Sequence, residues 1–340
     1  MAKLKECLNR IYRRKKKRAC GRTGPLLKVV KWINCRPKNP LDPEWLRHYR
    51  MITERAGRIA APRRNIAVHG FRVGRMRCEV ILPGSGRGSH FKTVSGNFVI
   101  LYAHGGGYVN GGLDYARVLA AKMAVATGFP TYTFAYRLAP EHPYPAALTD
   151  GIKMWDYLLR KGYTPEQILL AGDSAGGNLV LCMAQRIAVK RGEVPRGLWL
   201  FSPWTDMTGK ARSYRENEGV DPILTSKYIR DASRAYIGEG GDPADPRYSP
   251  LYGNLSVLPP TYIMVGRNEI LLDDSVRLYE AILRAGGRAE LDLEERGWHV
   301  YQQMPLPIAR RAMRRLLQST KERLFCADDL SRRWESYEKR

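Results

Sequence analysis

Apolar and polar positions along the chain predict strands and helices in turn. Short apolar runs, typical of buried strands, alternate with longer stretches in which apolar residues recur every three or four positions, as on one face of a helix. The apolar runs predict strands at about 98–103, 129–136, 167–172, 197–202, 261–266 and 289–294. The helical patterns lie at about 114–128, 145–161, 176–191, 273–286 and 305–324. This alternation predicts an α/β fold with a mostly parallel central sheet and helices on both faces.

Two weaker apolar stretches, at about 66–73 and 76–82, predict strands that form an antiparallel edge of the same sheet. A further helical pattern covers 225–237. The chain has 340 residues, a length that suits one large α/β domain with an appended cap. No internal repeat is visible, which argues against a solenoid or a propeller.

Residues 172–177 read Gly-Asp-Ser-Ala-Gly-Gly and lie between a predicted strand and a predicted helix. A Gly-x-Ser-x-Gly motif in that context predicts a nucleophile elbow, a tight turn that presents the Ser174 hydroxyl above the sheet edge. The flanking glycines remove the Cβ clashes that such a turn would create. Because glycine and serine are common in loops, the motif alone is weak evidence for catalysis.

A second glycine-rich stretch, His-Gly-Gly-Gly at residues 104–107, follows the predicted strand 98–103 directly. Backbone N–H groups in such a loop can stabilise the oxyanion that develops on a carbonyl under attack. Loops of this type accompany the elbow in lipases and esterases. A flexible glycine turn is the alternative interpretation, which the elbow motif disfavours.

The third candidate is a histidine base. Hydrolases with a nucleophile elbow carry Ser, acid and His in that order along the chain. His299 is the only one of the six histidines that follows Ser174, so a base in that order must be His299. Three candidates for the acid are Glu269, Asp273 and Asp274. The two aspartates open a predicted helix, where they suit the roles of cap and first-turn acids.

These stretches resemble the hormone-sensitive-lipase group of α/β-hydrolases, which includes the bacterial family IV esterases. The resemblance spans about residues 98–303 in family order. Its other matching stretches are Tyr-Arg-Leu-Ala-Pro-Glu-His-Pro at 136–143, Ser-Pro-Trp-Thr-Asp at 202–206, Asp-Pro-Ile-Leu-Thr at 221–225, Glu-Ile-Leu-Leu-Asp-Asp at 269–274 and Trp-His at 298–299. Residues 1–65 and 326–340 carry no motif that matches.

The resemblance implies an α/β-hydrolase fold with a helical cap, and it assigns roles to residues. Ser174 is then the nucleophile and His299 the base. Glu269 is the acid because it opens the family pattern of acid, any residue, Leu, any residue, Asp. An aspartate is commoner at that position. The implied oxyanion donors are the N–H groups of Gly105, Gly106 and Ala175.

By position, the family's cap falls at about 35–65 and 205–250, within a domain that runs from 39 to 325. Residues that bind substrate stay unassigned. The wall candidates, equally plausible as packing residues, are Tyr108, Trp204, Tyr214 and Leu224. We expect the signature 136–143, His142 included, to be structural, with Arg137 able to pair with Glu141. We expect Asp206 to order its loop.

The implied activity is that of a serine carboxylesterase. It acts on a small acyl ester with a short chain, acetyl included, through an acyl-enzyme. No metal or organic cofactor is expected, since the six cysteines, at 7, 20, 35, 78, 182 and 326, lack ligand spacing. We expect Cys182 in the core. An amidase or N-acetyl hydrolase is the neighbouring alternative, and a non-catalytic binder on a hydrolase fold is the alternative from another class.

Charge is uneven along the chain. Of the formal net charge of +24, residues 1–38 supply +13, from fourteen Lys and Arg and one acid, and residues 13–18 are six consecutive bases. This basic N-terminal arm predicts either peripheral contact with anionic surfaces or a solvated segment without that role. No specific nucleic acid is expected as a partner, because no aromatic interleaving or fold motif accompanies the run. Residues 326–340 read as a polar C-terminal tail.

The best candidate for a targeting segment is 26–33, which two lysines interrupt. It is too short for a membrane span and is not a convincing secretion signal. We therefore expect a cytoplasmic enzyme with free thiols. The sequence does not indicate the oligomeric state.

Overall fold

The computed structural model describes residues 39–62, 65–84 and 98–324, so the basic arm and the C-terminal tail lie outside the described residues. The strands are β1 (Ile66–Val73), β2 (Met76–Pro83), β3 (Val99–Ala103), β4 (Thr131–Phe134), β5 (Ile168–Asp173), β6 (Gly197–Phe201), β7 (Thr261–Gly266) and β8 (Ala289–Glu294). The α-helices are α1 (Pro43–Ala60), α2 (Leu113–Thr127), α3 (Ala146–Arg160), α4 (Ala175–Arg191), α5 (Ser213–Glu216), α6 (Ser226–Ile237), α7 (Leu272–Arg284) and α8 (Pro307–Leu324).

All eight strands form one sheet in the order β1-β2-β4-β3-β5-β6-β7-β8. Strand β2 runs antiparallel to β1 and β4, and every other neighbouring pair is parallel. The predicted mostly parallel sheet with an antiparallel edge is therefore confirmed. Because parallel strands end at the same edge of a sheet, the loops that follow β3, β5, β6, β7 and β8 start close together.

Helices cover both faces of the sheet, as predicted. Side chains alternate across β3, so that Leu101 lies in one buried cluster while Ile100 and Tyr102 lie in the other. Helices α3 and α4 contribute to the first cluster, and α2 and α8 contribute to the second. Strand β5 is buried along its whole length, which explains why its sequence is a continuous apolar run.

Helix α1 was not predicted as a helix, although its start carries ordinary signals. Asp42 is the N-cap, and its carboxylate accepts the backbone N–H groups of Glu44 and Trp45, while Pro43 occupies the first turn. Only Leu46 and Gly57 of its eighteen residues are buried. With so little apolar surface directed to the core, the helix lacks the pattern by which the others were found.

Within the parts of the chain that the structure describes, no helix has the length and apolar character needed to span a bilayer. The same parts contain no group of three or more His, Cys, Asp or Glu side chains arranged to hold a metal ion. Cys78 and Cys182 are buried as free thiols, and Cys182 packs in the core as expected. The other four cysteines fall outside the described ranges.

Candidate active site

Ser174 occupies a strained turn between the end of β5 and the first residue of α4. Its backbone has a φ of +53° and a ψ of −119°, a conformation that costs free energy in any residue other than glycine. Neighbouring backbone groups hold the turn: the Ser174 N–H donates to the Phe201 carbonyl at 2.9 Å, and the Trp204 N–H donates to the Ser174 carbonyl at 3.1 Å. The turn is thus fixed by β6 and the loop after it.

The glycines of the elbow allow close approach of backbone segments. A Cβ atom on Gly176 would overlap the carbonyl oxygens of Ala103 and His104, at the end of β3. A Cβ on Gly172 would overlap the backbone of Gly176 itself. The sequence needs glycine at 176 because the start of α4 lies directly against the end of β3, and at 172 because the turn folds back on its own backbone.

Glu269 and His299 meet after the ends of β7 and β8. The Oε1 atom of Glu269 lies 3.4 Å from Nδ1 of His299, which is long for a hydrogen bond, and both side chains are buried. The other carboxylate oxygen, Oε2, accepts the Gly266 N–H at 2.9 Å. A carboxylate opposite Nδ1 favours the tautomer that carries its proton there, which leaves Nε2 as an acceptor.

Ser202 holds this pair together, a role that the sequence analysis missed. Its hydroxyl donates to Oε2 of Glu269 at 2.9 Å and accepts the Val300 N–H at 3.1 Å. Like Ser174, it follows the end of a central strand with a positive φ, here +49°. The only signal in the sequence was its place in the stretch 202–206, which assigned it no function.

The rival acids are bonded to the segment 205–213. Oδ2 of Asp273 accepts the Ser213 N–H at 2.8 Å. Oδ2 of Asp274 accepts the N–H groups of Thr205 and Asp206, at 2.7 and 3.0 Å. Both aspartates lie in the first turn of α7, as predicted, but neither is its N-cap, which is Leu271. Their carboxylates instead hold the segment 205–213 against α7.

Asp221 is a further buried carboxylate beside the Glu269–His299 pair. Oδ2 accepts the Ile270 N–H at 3.0 Å, and Oδ1 accepts the N–H groups of Ile223 and Leu224. Burial raises the pKa of Asp221 to about 6; nearby His299 opposes the shift, and Glu269 adds to it. Asp221 therefore links the chain after Glu269 to the segment that leads into α6.

The predicted oxyanion loop is attached to the elbow through Asp173. The Gly105 N–H donates to Oδ1 of Asp173 at 2.8 Å, and this carboxylate also accepts the hydroxyls of Tyr102 and Tyr115. Burial raises the pKa of Asp173, and the three hydrogen bonds that its carboxylate accepts oppose that shift. Because its N–H is already bonded inside the protein, the expectation that Gly105 donates to an oxyanion is wrong.

The N–H groups of the next two residues of the loop remain available to an oxyanion. Gly106 and Gly107 have positive φ values of 112° and 66°. Among the described residues neither of their N–H groups has a hydrogen-bond partner. The N–H of Ala175 begins α4, where no carbonyl of the preceding turn is available to it. The loop and the elbow thus offer the N–H groups of Gly106, Gly107 and Ala175 as donors.

Helix α1 supports the loop from the other side with its polar face. Arg50 donates to the carbonyl oxygens of Val109 and Ala139, at 2.7 and 2.8 Å, and forms two bonds with the Glu141 carboxylate. The predicted pair of Arg137 with Glu141 is therefore wrong. Arg137 instead bonds Asp150 of α3.

The same face of α1 also caps helix α2. The Glu54 carboxylate accepts the N–H groups of Asp114 and Tyr115, at 3.1 and 3.0 Å, while the N-cap residue Gly112 offers no side chain for that purpose. Gly57 lies so close to this turn that a Cβ there would come within 2.6 Å of the Asp114 backbone. Burial raises the pKa of Glu54, and the two N–H groups partly offset the shift.

The wall candidates are all buried packing residues of the larger core cluster. Tyr108 stacks on Tyr236 with ring centroids 3.6 Å apart and donates its hydroxyl to Asn178. Asp206 does order its loop as expected: it accepts the Thr208 N–H and bonds Arg277 of α7 at 2.6 Å. The structure thus favours the packing interpretation for the wall candidates and gives Asp206 a structural role.

Comparisons with known proteins agree with this architecture. Residues 100–303, more than half of the chain, match the family described as alpha/beta hydrolase fold. An esterase of Acinetobacter venetianus is 36% identical over 217 residues, which cover 64% of this chain and 72% of that one. An acetyl-hydrolase of Streptomyces hygroscopicus is 34% identical over 219 residues, which cover 63% and 72%.

A solved structure of an esterase from the bacterial hormone-sensitive lipase family is similar over 89% of this chain and 99% of that chain, with 30% identity and a TM-score of 0.79. The chain belongs to the alpha/beta-hydrolase fold family and, within it, to the hormone-sensitive-lipase group. The resemblance found in the sequence is thereby confirmed.

Proposed function

We propose that this chain is a serine carboxylesterase that hydrolyses short acyl esters, acetyl esters among them, with Ser174 as nucleophile. The observation that carries the proposal is the contact between the Glu269 carboxylate and the His299 ring, beyond the same sheet edge at which Ser174 occupies its strained turn. The broader class of this activity, carboxylic ester hydrolysis, agrees with the family and with relatives named esterase and acetyl-hydrolase.

In the proposed reaction, His299 accepts the proton of the Ser174 hydroxyl as its oxygen attacks the ester carbonyl. Glu269 keeps the proton of the imidazole on Nδ1, so that Nε2 can act as the base. The tetrahedral intermediate then expels the alcohol, which takes the proton from His299, and an acyl-enzyme remains. Water, activated in the same way, attacks the acyl group and releases the carboxylic acid and free Ser174.

The donors to the oxyanion are proposed to be the N–H groups of Gly106, Gly107 and Ala175. Support comes from the hydrogen bonds of the loop: the Gly105 N–H is bonded to Asp173, whereas the next two are free among the described residues. In this arrangement Gly105 attaches the loop to the elbow, while the N–H groups of Gly106 and Gly107 donate to the substrate. Loss of one such donor typically costs about 3 kcal/mol of transition-state stabilisation.

Two segments are proposed to form the cap over the site, one around α1 and one around α6. Each reaches the glycine loop: Arg50 of α1 bonds the Val109 carbonyl, and the Tyr228 hydroxyl of α6 lies 3.3 Å from the Gly106 carbonyl. We further propose that the enzyme acts in the cytoplasm, where thiols such as those of Cys78 and Cys182 stay reduced. The proposed serine mechanism requires no metal or organic cofactor.

Hydrolysis of nitrophenyl esters, from acetyl to palmitoyl, tests the function directly. We expect the highest kcat/KM between acetyl and hexanoyl chains, and we expect Ser174→Ala to lower turnover by at least about 10³-fold. The matched control is Ser256→Ala, which removes an exposed hydroxyl and should leave turnover unchanged. A fluorophosphonate probe should add its mass to the tryptic peptide that contains Ser174.

Near wild-type turnover by Ser174→Ala would contradict the nucleophile assignment. Faster hydrolysis of matched anilides than of esters would support an amidase instead. A folded protein that binds esters but hydrolyses none would indicate the non-catalytic binder.

A further inference from the structure

Helix α1 differs from an ordinary surface helix because it exposes a large share of its apolar side chains. Its inward face combines Leu46, which is buried in the main core cluster, with the polar contacts of Arg50, Thr53 and Glu54 to the glycine loop and to α2. Its outward face exposes Met51, Ile52 and Ile59. A surface helix normally buries its apolar stripe and exposes its charges.

Exposed apolar residues are concentrated in and just before α1. Among the described residues, nine large hydrophobic side chains are exposed, and four of them lie on α1 or immediately before its cap. These four are Leu41, Met51, Ile52 and Ile59, and Ile59 is 72% exposed. Single exposed apolar residues are common on any protein, but a group on one helix face indicates a docking surface.

The charges on the same face indicate the kind of surface that docks there. Arg47 and Arg55 are exposed between the apolar residues, and the one acidic residue exposed on α1 is Glu44, in its first turn. The chain immediately before α1, residues 1–38, adds a net charge of +13. Apolar side chains flanked by bases on one helix face are the pattern of helices that lie in the plane of a membrane interface.

We propose that the outer face of α1, defined by Arg47, Met51, Ile52, Arg55 and Ile59, docks on an anionic lipid bilayer. The helix lies parallel to the bilayer, with the three apolar side chains among the headgroups and the two arginines against lipid phosphates. The inner face stays attached to the enzyme, so no part of the fold has to open. This surface goes beyond the proposed esterase activity and is independent of it.

Sedimentation of the full-length chain with vesicles tests the proposal. The probes are vesicles of phosphatidylcholine with about 30% phosphatidylglycerol and vesicles of phosphatidylcholine alone. We expect binding to the anionic vesicles only, weaker at about 0.5 M salt than at about 0.05 M because salt screens the charges. The test variant is Met51→Gln with Ile52→Gln and Ile59→Gln, since glutamine preserves helix propensity.

The variant should lose at least about tenfold in vesicle affinity. The matched control replaces three exposed valines of other elements, Val68, Val189 and Val194, by glutamine and should bind like the wild type. Turnover of a soluble acetyl ester should be the same for all three proteins. This readout separates failure of the docking proposal from failure of the proposed function.

Absence of vesicle binding by the wild-type chain would overturn the proposal. Equal binding by the test and control variants would also overturn it and assign any membrane contact to residues 1–38. Light scattering after gel filtration tests whether a second copy of the chain, instead of a bilayer, covers this face. A wild-type dimer that becomes a monomer in the test variant would show that a second copy of the chain, rather than a bilayer, covers α1.

Discussion

Helices α4 and α1 both contact the loop that follows β3, and they do so in opposite ways. Helix α4 approaches through Gly176 and is buried along most of its length, with twelve of its seventeen residues inaccessible. Helix α1 has two buried residues among eighteen and reaches the loop with long charged side chains. The first helix is part of the core, whereas the second inserts Leu46 into the core and is otherwise attached to its surface by hydrogen bonds.

Because of this difference, sequence changes in the two helices should have different consequences. A change in α4 or in the elbow alters packing and backbone geometry together, so it threatens both fold and chemistry. A change of a polar residue on the inner face of α1 removes contacts that orient the loop but leaves the core intact. We therefore expect losses of activity without loss of folding to come mainly from α1 and from polar residues around the elbow.

The largest loss of activity should come from a change of Glu269, the acid beside His299 at the sheet edge that carries the elbow. Glu269→Gln removes the charge opposite Nδ1 of His299, and a wrong tautomer can cost on the order of 10⁴ in kcat. Asp273→Asn is the matched control, because its carboxylate faces Ser213 rather than His299. Steady-state kinetics on both variants decide the assignment, and a severe loss in Asp273→Asn with a mild one in Glu269→Gln would reverse it.

A smaller loss of activity is expected from a change in α1. Arg50→Met removes the bonds to the Val109 and Ala139 carbonyls, so the glycine loop loses a support and kcat should fall about tenfold with little change in KM. The control is Arg47→Met, one turn away on the exposed face, which should leave kcat unchanged. Equal kinetics for the two variants would show that α1 does not orient the loop. A melting temperature close to wild type is expected for both.

The last effect concerns stability rather than activity and is a change in its pH dependence. Burial, together with the charge of Asp206, raises the pKa of Asp274 to about 8, above the unfolded value near 4. The folded state therefore holds a proton that the unfolded state has lost, and this group's contribution falls as pH rises from about 4 to about 8.

Asp274→Asn has no such proton, so its stability relative to wild type should rise across that pH range and level off above it. The change should not exceed about 1.4 kcal/mol per pH unit. Urea denaturation at several pH values measures it, and parallel curves for the two proteins would contradict the assigned pKa. Arg277, which pairs with Asp206, should reduce the effect.

The sheet and the elbow could be predicted because their local patterns agree with their surroundings. Strand β5 is apolar and buried on both faces, and Gly172 and Gly176 occur where a tight turn requires them. The contact of Glu269 with His299 was expected from the resemblance, which also favoured Glu269 over Asp273. Such features depend on residues that are close in sequence or on a known order of motifs.

Long-range hydrogen bonds could not be predicted in the same way. The Gly105 N–H is bonded to a carboxylate 68 positions away, and Glu141 pairs with an arginine 91 positions away rather than with Arg137. Both outcomes depend on which partner the fold brings near, and residue type alone does not reveal that. The polar contacts of α1 have the same origin, because Arg50, Thr53 and Glu54 all bond segments that are distant in sequence.

The two faces of α1 belong to one rigid element, and thermodynamic linkage follows from that fact. A ligand on the outer face can alter turnover only if its affinity differs between arrangements of the glycine loop, which contacts the inner face. If it does, an acyl group bound in the site must change the affinity of the outer face by the same factor. Occupancy of the active site would then be measurable as a change in affinity at a surface that touches no substrate.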